Sequence, residues 1–328
     1  MGNKSINADR GMFFDNHIFF LILYYSISFK KVFGGFFKMD KINNVISASY
    51  IGKPISNTVM YISKKIEKQL FNLRNVTGCL IFCENSIEVP KELLETNTFI
   101  MTSNPQLEYS RYVNSIASRI ETENRSRKYT LTKDGYYVGE NVKIGKNAYI
   151  EPLCLIDHDV IIGDNAHIFT GSKIRRAIIG DNFVAFENSV VGSYGFTMAT
   201  DESGAKVRIP TLGKVIIGNN VEAGMLCNIA VGSGGNTIID DNVKIDAFVH
   251  IAHDVHLEHD VEIPAGAIIG GFVTVQNNVF IGINATVRNR ITIGEKAIVG
   301  MGSVVTKDVS ANTTVVGNPA RLFEKESK

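Results

Sequence analysis

Four of the chain's seven histidines stand three residues apart in one stretch, HIAHDVHLEHDVEIPAGAIIGG (250–271): His250, His253, His256 and His259. Imidazoles at close spacing can ligate a metal, or one of them can act as a general base while the others are solvated. The direction of each ring decides between these chemistries, so the element that carries them has to be read first.

That element repeats every six residues. Counting in sixes from Ile239 gives Ile239, Ile245, Ile251, Leu257, Ile263, Ile269, Val275, Ile281, Val287, Ile293, Val299 and Val305, all branched aliphatics. Four places after each comes a small or β-branched residue, from Val243, Val249 and Val255 through Ala285 and Ala297 to Ser303 and Val309. An earlier run in another phase covers Val138, Ile144, Ile150, Ile156, Ile162, Ile168 and Ile174, and short stretches around Ile179 and Ile217 bridge the two. An α-helix repeats at 3.6 residues and a simple strand at two, so neither produces six. A parallel β-helix does: each hexad makes one flat face and one corner, and three faces close a coil of about eighteen residues. Cys154 and Cys227 fall at the small inward positions and are expected to be core residues.

Residues 39–125 read differently, as apolar runs (TVMYI, GCLIFC, TFIMT) alternating with helix-like polar segments (SKKIEKQLFNL, PQLEYSRYVNSIASRI). That pattern is a small α/β domain, with Cys79 and Cys83 in its core. The polar segment 121–135 marks the boundary, the β-helix runs over 136–310, and 311–328 cap it. The expected fold is mainly β: a left-handed parallel β-helix of hexapeptide repeats behind a small N-terminal α/β domain, the hand being supplied by the resemblance below. Residues 1–38 are very apolar, but the uninterrupted core Ile18 to Ile27 is too short to span a bilayer and no signal-peptide cleavage pattern follows. They are read as a leader outside the fold, and membrane association is expected only if that leader is a true monotopic anchor.

The chain of 328 residues balances 34 basic against 33 acidic side chains, a net charge of +1. This leaves no field for nucleic acid, so any anion site must be local. The four cysteines lack CxxC spacing and disulfide density, which makes a cytoplasmic location the default.

On a triangular coil, histidines six apart occupy neighbouring edges, on the order of 15 Å from each other, too far to share one metal ion. No metal site is expected. A general base remains, and the residue one coil above discriminates: eighteen beyond His253 is Gly271, whereas eighteen beyond His259 is Asn277. Glycine leaves a bare backbone N–H and room for a substrate carbonyl, so His253 with Gly271 is the expected catalytic pair. Asp246 and Asp254 are the two carboxylates that could orient the imidazole.

Two segments carry a resemblance to a known family. GSYGFTMATDESGAKVRIPTLGKVIIGNNVEAG (192–224) and VKIDAFVHIAHDV (243–255) resemble the UDP-3-O-acylglucosamine N-acyltransferases of lipid A synthesis, within the left-handed β-helix acyltransferases. The likeness covers 40 to about 310 and is strongest from 190 to 300. It implies that the IAH histidine, here His253, is the catalytic base, that a backbone amide matching Gly271 completes an oxyanion site, and that the protein is a homotrimer with sites between neighbouring prisms. It also implies a nucleotide-binding N-terminal domain with Tyr61 as the base-stacking aromatic, Lys64 and Glu67 standing where the family has asparagine and tyrosine. Phe196 belongs to the loop expected at the substrate.

The departures are specific. Arg290 replaces the family's second histidine, and Ala230 and Val231 replace its Asp-Arg pair. The ending VGMGSVVTKDVSANTTVVGNPARLFEKESK resembles acetyl-CoA-dependent sugar acetyltransferases, which implies a coenzyme A channel lined by Gly300 and Gly302, with Lys307, Arg321 and Arg290 as contacts to the donor. The expected activity is therefore transfer of a short acyl group, acetyl above all, from coenzyme A as co-substrate to the amine of a nucleoside-diphosphate amino sugar, with no permanently bound cofactor. The alternative is a carrier-protein-dependent lipid A enzyme. A metal-dependent or non-catalytic β-helix protein is the rival of a different class.

Overall fold

The computed structural model describes residue 45 and residues 47–323. The leader read from residues 1–38 lies outside the described residues. Residues 137–316 wind into a left-handed parallel β-helix whose three faces belong to sheets of ten, ten and eight short strands, the two larger ones each ending in an antiparallel edge strand, Thr130–Leu131 and Arg321–Leu322. The hexads stack in the register that the eighteen-residue coil requires, with Ile251 beside Ile269, Ile269 beside Val287 and Val287 beside Val305. Inward residues such as Ile156, Ile174, Ile251 and Leu257 are fully buried, and the columns fill the prism mostly with branched side chains, Ala185 and Ala223 being the small members of one column. Cys154 and Cys227 lie among them, and burial pushes the Cys227 thiol up to about 11, which makes it an inert packing group.

Corners need a residue in the left-handed backbone region, and asparagine or aspartate supplies most of them: Asn141, Asn147, Asn165, Asn182, Asp254, Asp260 and Asn278 all have φ near +60°. Two coils break the regular spacing at the same corner. Val191 pairs with Ile229, 38 residues on, because residues 192–213 leave the coil as a long loop containing the hairpin Met198–Thr200 and Lys206–Arg208. Ile229 pairs with Ile251, 22 residues on, because residues 231–236 (VGSGGN) bulge outward. Both excursions project directly below the corner that holds His253.

The N-terminal part is a three-stranded parallel sheet, Val59–Ile62, Leu80–Glu84 and Thr98–Thr102 in consecutive order. Its long helix, Pro105–Arg125, begins at Asn104, whose side chain accepts from the Leu107 N–H at 3.2 Å, and buries Leu107, Ser110, Val113 and Ile116 along one side. Cys79 and Cys83 are buried in this part, and burial pushes the Cys83 thiol up to about 11. The segment SKKIEKQLFNL, read as helix, forms 3-10 turns over Lys64–Asn75 that are interrupted at Ile66. The helix Pro105–Arg125 also grips the long loop: Asn114 donates to the Arg208 carbonyl at 2.9 Å, and Arg111 pairs with Glu202 at 2.9 Å. Sheet domain, loop and coil therefore meet at one corner. No helix among the described residues is long and apolar enough to cross a membrane.

Candidate active site

The four histidines go four separate ways. His250 lies exposed on one face, His259 is an exposed corner residue whose N–H donates to Asn277, and His256 pairs with Asp240 at 2.7 Å. Among the described residues no group of three His, Cys, Asp or Glu side chains is placed to hold a metal. His253 alone sits in a built pocket, with its side chain 13% exposed.

Asp254 orients the imidazole. Its Oδ2 lies 2.8 Å from His253 Nδ1, and its side chain is only 2% exposed. The Ser233 N–H and hydroxyl donate to the same oxygen at 2.8 and 2.7 Å, and the Gly234 N–H donates to Oδ1 at 3.0 Å. A buried carboxylate with these partners is an acceptor only, so His253 Nδ1 must carry the proton and Nε2 must present its lone pair. That lone pair faces the Thr197 hydroxyl, 3.3 Å away on the long loop. Of the two carboxylates that the sequence offered, Asp246 is on another edge of the prism, in a groove with Phe186, Met225 and Pro264.

Gly271 stands where counting by eighteen puts it. A Cβ there would lie 2.8 Å from His253 Cε1 and 2.9 Å from Nε2, so any side chain would displace the imidazole. Its N–H donates to no group among the described residues. On the opposite side Gly195 closes against the His253 Cβ, where a Cβ would come within 3.1 Å. Phe196, next in the loop, is 76% exposed beneath the Arg208 guanidinium. The buried Thr211 hydroxyl in the same loop has no hydrogen-bond partner among the described residues.

The other expected contacts divide into two sets. Lys307 stands on the same corner column as His253 and Gly271, three coils up, and Arg290 stands beside that column, above Phe272. Gly300 and Gly302 are at a different corner, following the strand Ile298–Val299, and Arg321 is on the edge strand of that face. The structure thus brings Arg290 and Lys307 to the His253 side and leaves Gly300, Gly302 and Arg321 away from it. From the N-terminal sheet, Tyr61 packs against Tyr109 with ring centroids 5.1 Å apart, while Lys64 is tied to Glu67 at 2.8 Å. Ala230 and Val231 are buried, so nothing replaces the family's Asp-Arg pair at that point.

Residues 141–176, 236–271 and 272–307 match the family described as bacterial transferase hexapeptide (six repeats). A UDP-3-O-acylglucosamine N-acyltransferase of Coxiella burnetii is 31% identical over 184 residues, 48% of this chain and 50% of the relative. UDP-3-O-acylglucosamine N-acyltransferase 2 of Legionella pneumophila is 39% identical over 148 residues, 45% of this chain and 43% of the relative. The chain spans about half the length of the curated relatives it matches. Among solved structures, a UDP-N-acetylglucosamine acyltransferase from Campylobacter jejuni superimposes with a TM-score of 0.53 at 24% identity, covering 59% of this chain and 74% of that one. At that identity the likeness is one of fold. The hexapeptide repeats supply the scaffold, and the site residues Ser233, Thr197 and Phe196 all come from the two stretches where the repeat is interrupted.

Proposed function

We propose that the protein is an N-acyltransferase that moves an acyl group from a thioester to the amine of a UDP-linked glucosamine, with His253 as general base. The observation that carries this reading is the pairing of an imidazole held at Nδ1 by Asp254 with an uncommitted backbone N–H at Gly271. The neutral amine attacks the thioester carbonyl carbon. As the C–N bond forms, His253 Nε2 takes the amine proton, and the Gly271 N–H receives the oxyanion. The C–S bond then breaks, and the proton passes from Nε2 to the leaving sulfur. Assembly as a homotrimer belongs to the same proposal.

The names of the relatives support an acylated UDP-glucosamine as acceptor, and so favour the long-chain alternative over acetylation from coenzyme A. One observation favours the short-chain donor: Lys307, exposed on the His253 column, makes no ion pair among the described residues and suits a phosphate of coenzyme A. Competition of acetyl-CoA against 3-hydroxyacyl carrier protein at equal concentration, with products identified by mass spectrometry, separates the two. Predominant hydroxyacyl product is expected; exclusive acetyl transfer would replace it with the short-chain reading.

Tyr61 is proposed to stack on the uracil. Stacking of a base on an aromatic is worth about 1–3 kcal/mol, so Tyr61→Ala is expected to raise the KM for the nucleotide sugar roughly tenfold or more while leaving that for the acyl donor within about twofold. A KM for the sugar that does not move would remove the nucleotide from the N-terminal sheet.

A further inference from the structure

Three guanidinium groups surround the His253 corner, and two are committed. Arg176 donates to the Thr211 carbonyl at 2.8 Å and lies over Tyr194; Arg208 donates to the Gly195 carbonyl at 2.9 Å and lies over Phe196. Both hold the long loop in shape. Arg290 differs. Its guanidinium carbon lies over the Phe272 ring, 4.1 Å from the centroid, and the guanidinium donates to no acceptor among the described residues. The same ring meets His253 edge-on at 5.2 Å and Tyr50 at 4.9 Å.

Asp254, Phe272 and Arg290 are eighteen residues apart and occupy one column, all with φ near +60°. The Phe272 ring therefore fills the rung between the carboxylate and the guanidinium and keeps them from pairing, so Asp254 remains with His253. A bulky residue in the left-handed region costs about 1–2 kcal/mol, and Phe272 and Arg290, like Leu153, Arg176, Leu226, Phe248 and Lys296, stand at a corner position that asparagine or aspartate fills in most coils. Tyr50 and Tyr61 face the same cation: burial raises both phenols, and the charge of Arg290 opposes the rise.

We propose that Arg290 is the receptor for an anion of the acceptor, the phosphate borne on the sugar carbon next to the amine. The inference rests on the acyl-transfer reading for the identity of the acceptor and deepens it by assigning the side chain that holds the acceptor's sugar phosphate. An imidazole and a guanidinium packed on one phenylalanine ring can serve two groups on adjacent carbons, the amine at Nε2 and the phosphate at the fork. An amine placed across the ring from the phosphate would not satisfy both.

Calorimetric binding of UDP-glucosamine and of glucosamine 1-phosphate to the wild-type, Arg290→Ala and Arg290→Lys proteins tests the inference without turnover. Arg290→Ala is expected to weaken both ligands roughly ten- to a hundredfold, and Arg290→Lys to recover only part of the loss, because an ammonium lacks the fork. Glucosamine without phosphate should bind equally to all three. No measurable binding to wild type, or a change within twofold in Arg290→Ala, overturns the inference. So does a variant that keeps its affinity for both sugars while the KM for the acyl donor rises tenfold, which would assign the guanidinium to the donor. Arg290-dependent binding in a protein that transfers no acyl group would instead overturn the acyl-transfer reading and leave the anion receptor standing.

Discussion

His253→Ala is expected to lower turnover by at least two orders of magnitude, while His259→Ala leaves it within about twofold. The two residues occupy the same place in successive hexads, so a role that came from the repeat itself would affect both alike. They differ in what surrounds them. His253 has a bare glycine above it, a carboxylate at Nδ1 and a loop hydroxyl at Nε2; His259 has Asn277 above it and open solvent beside it. Steady-state rates for both variants, with unfolding temperatures to confirm intact folds, provide the check. Comparable losses in both would dismiss His253 as the base.

Asp254→Asn is expected to lower kcat by roughly 10²–10⁴ with a much smaller change in the acceptor KM. Asparagine keeps the size, and with its amide nitrogen in the Oδ2 place the remaining oxygen still accepts from the Gly234 N–H, while the Ser233 N–H loses its acceptor. What changes is the proton. An amide N–H directed at Nδ1 forces that nitrogen to accept and moves the imidazole proton to Nε2, where the amine must deliver its own. The same exchange beside the histidine of serine proteases costs about 10⁴ for this reason. An Asp254→Asn protein with kcat within threefold of wild type would reduce Asp254 to a corner-forming residue.

The prism and its register were legible because a six-residue period leaves few alternatives, and counting by eighteen placed Gly271 against His253 without coordinates. The orienting carboxylate was legible only as one of two. Neighbours in an extended chain point to opposite sides, and it is the left-handed backbone at Asp254, with φ 59°, that returns its side chain to the preceding imidazole. Ser233 was missed because the bulge 231–236 breaks the count that would have placed it under His253. The cluster of Tyr50, Phe272 and Arg290 depends on where the N-terminal sheet docks, which no periodicity encodes. The helix-like reading of SKKIEKQLFNL rested on the segment's polar character, which does not reveal the kink at Ile66. The expected donor contacts were gathered by motif, and a motif does not say which corner each residue occupies; Gly300, Gly302 and Arg321 stand at a corner of the chain other than that of His253.

The stacked coils above His253 have one further consequence. Each adds about 4.8 Å of height and touches only its neighbours, so a coil can be inserted above Arg290 without altering the residues around His253. The distance from the reacting nitrogen to Lys307 is therefore a discrete variable, extended in whole steps by duplicating eighteen codons. A protein built this way sets the height of its upper coils by counting, as a ratchet does, while the residues at the lower rung stay fixed.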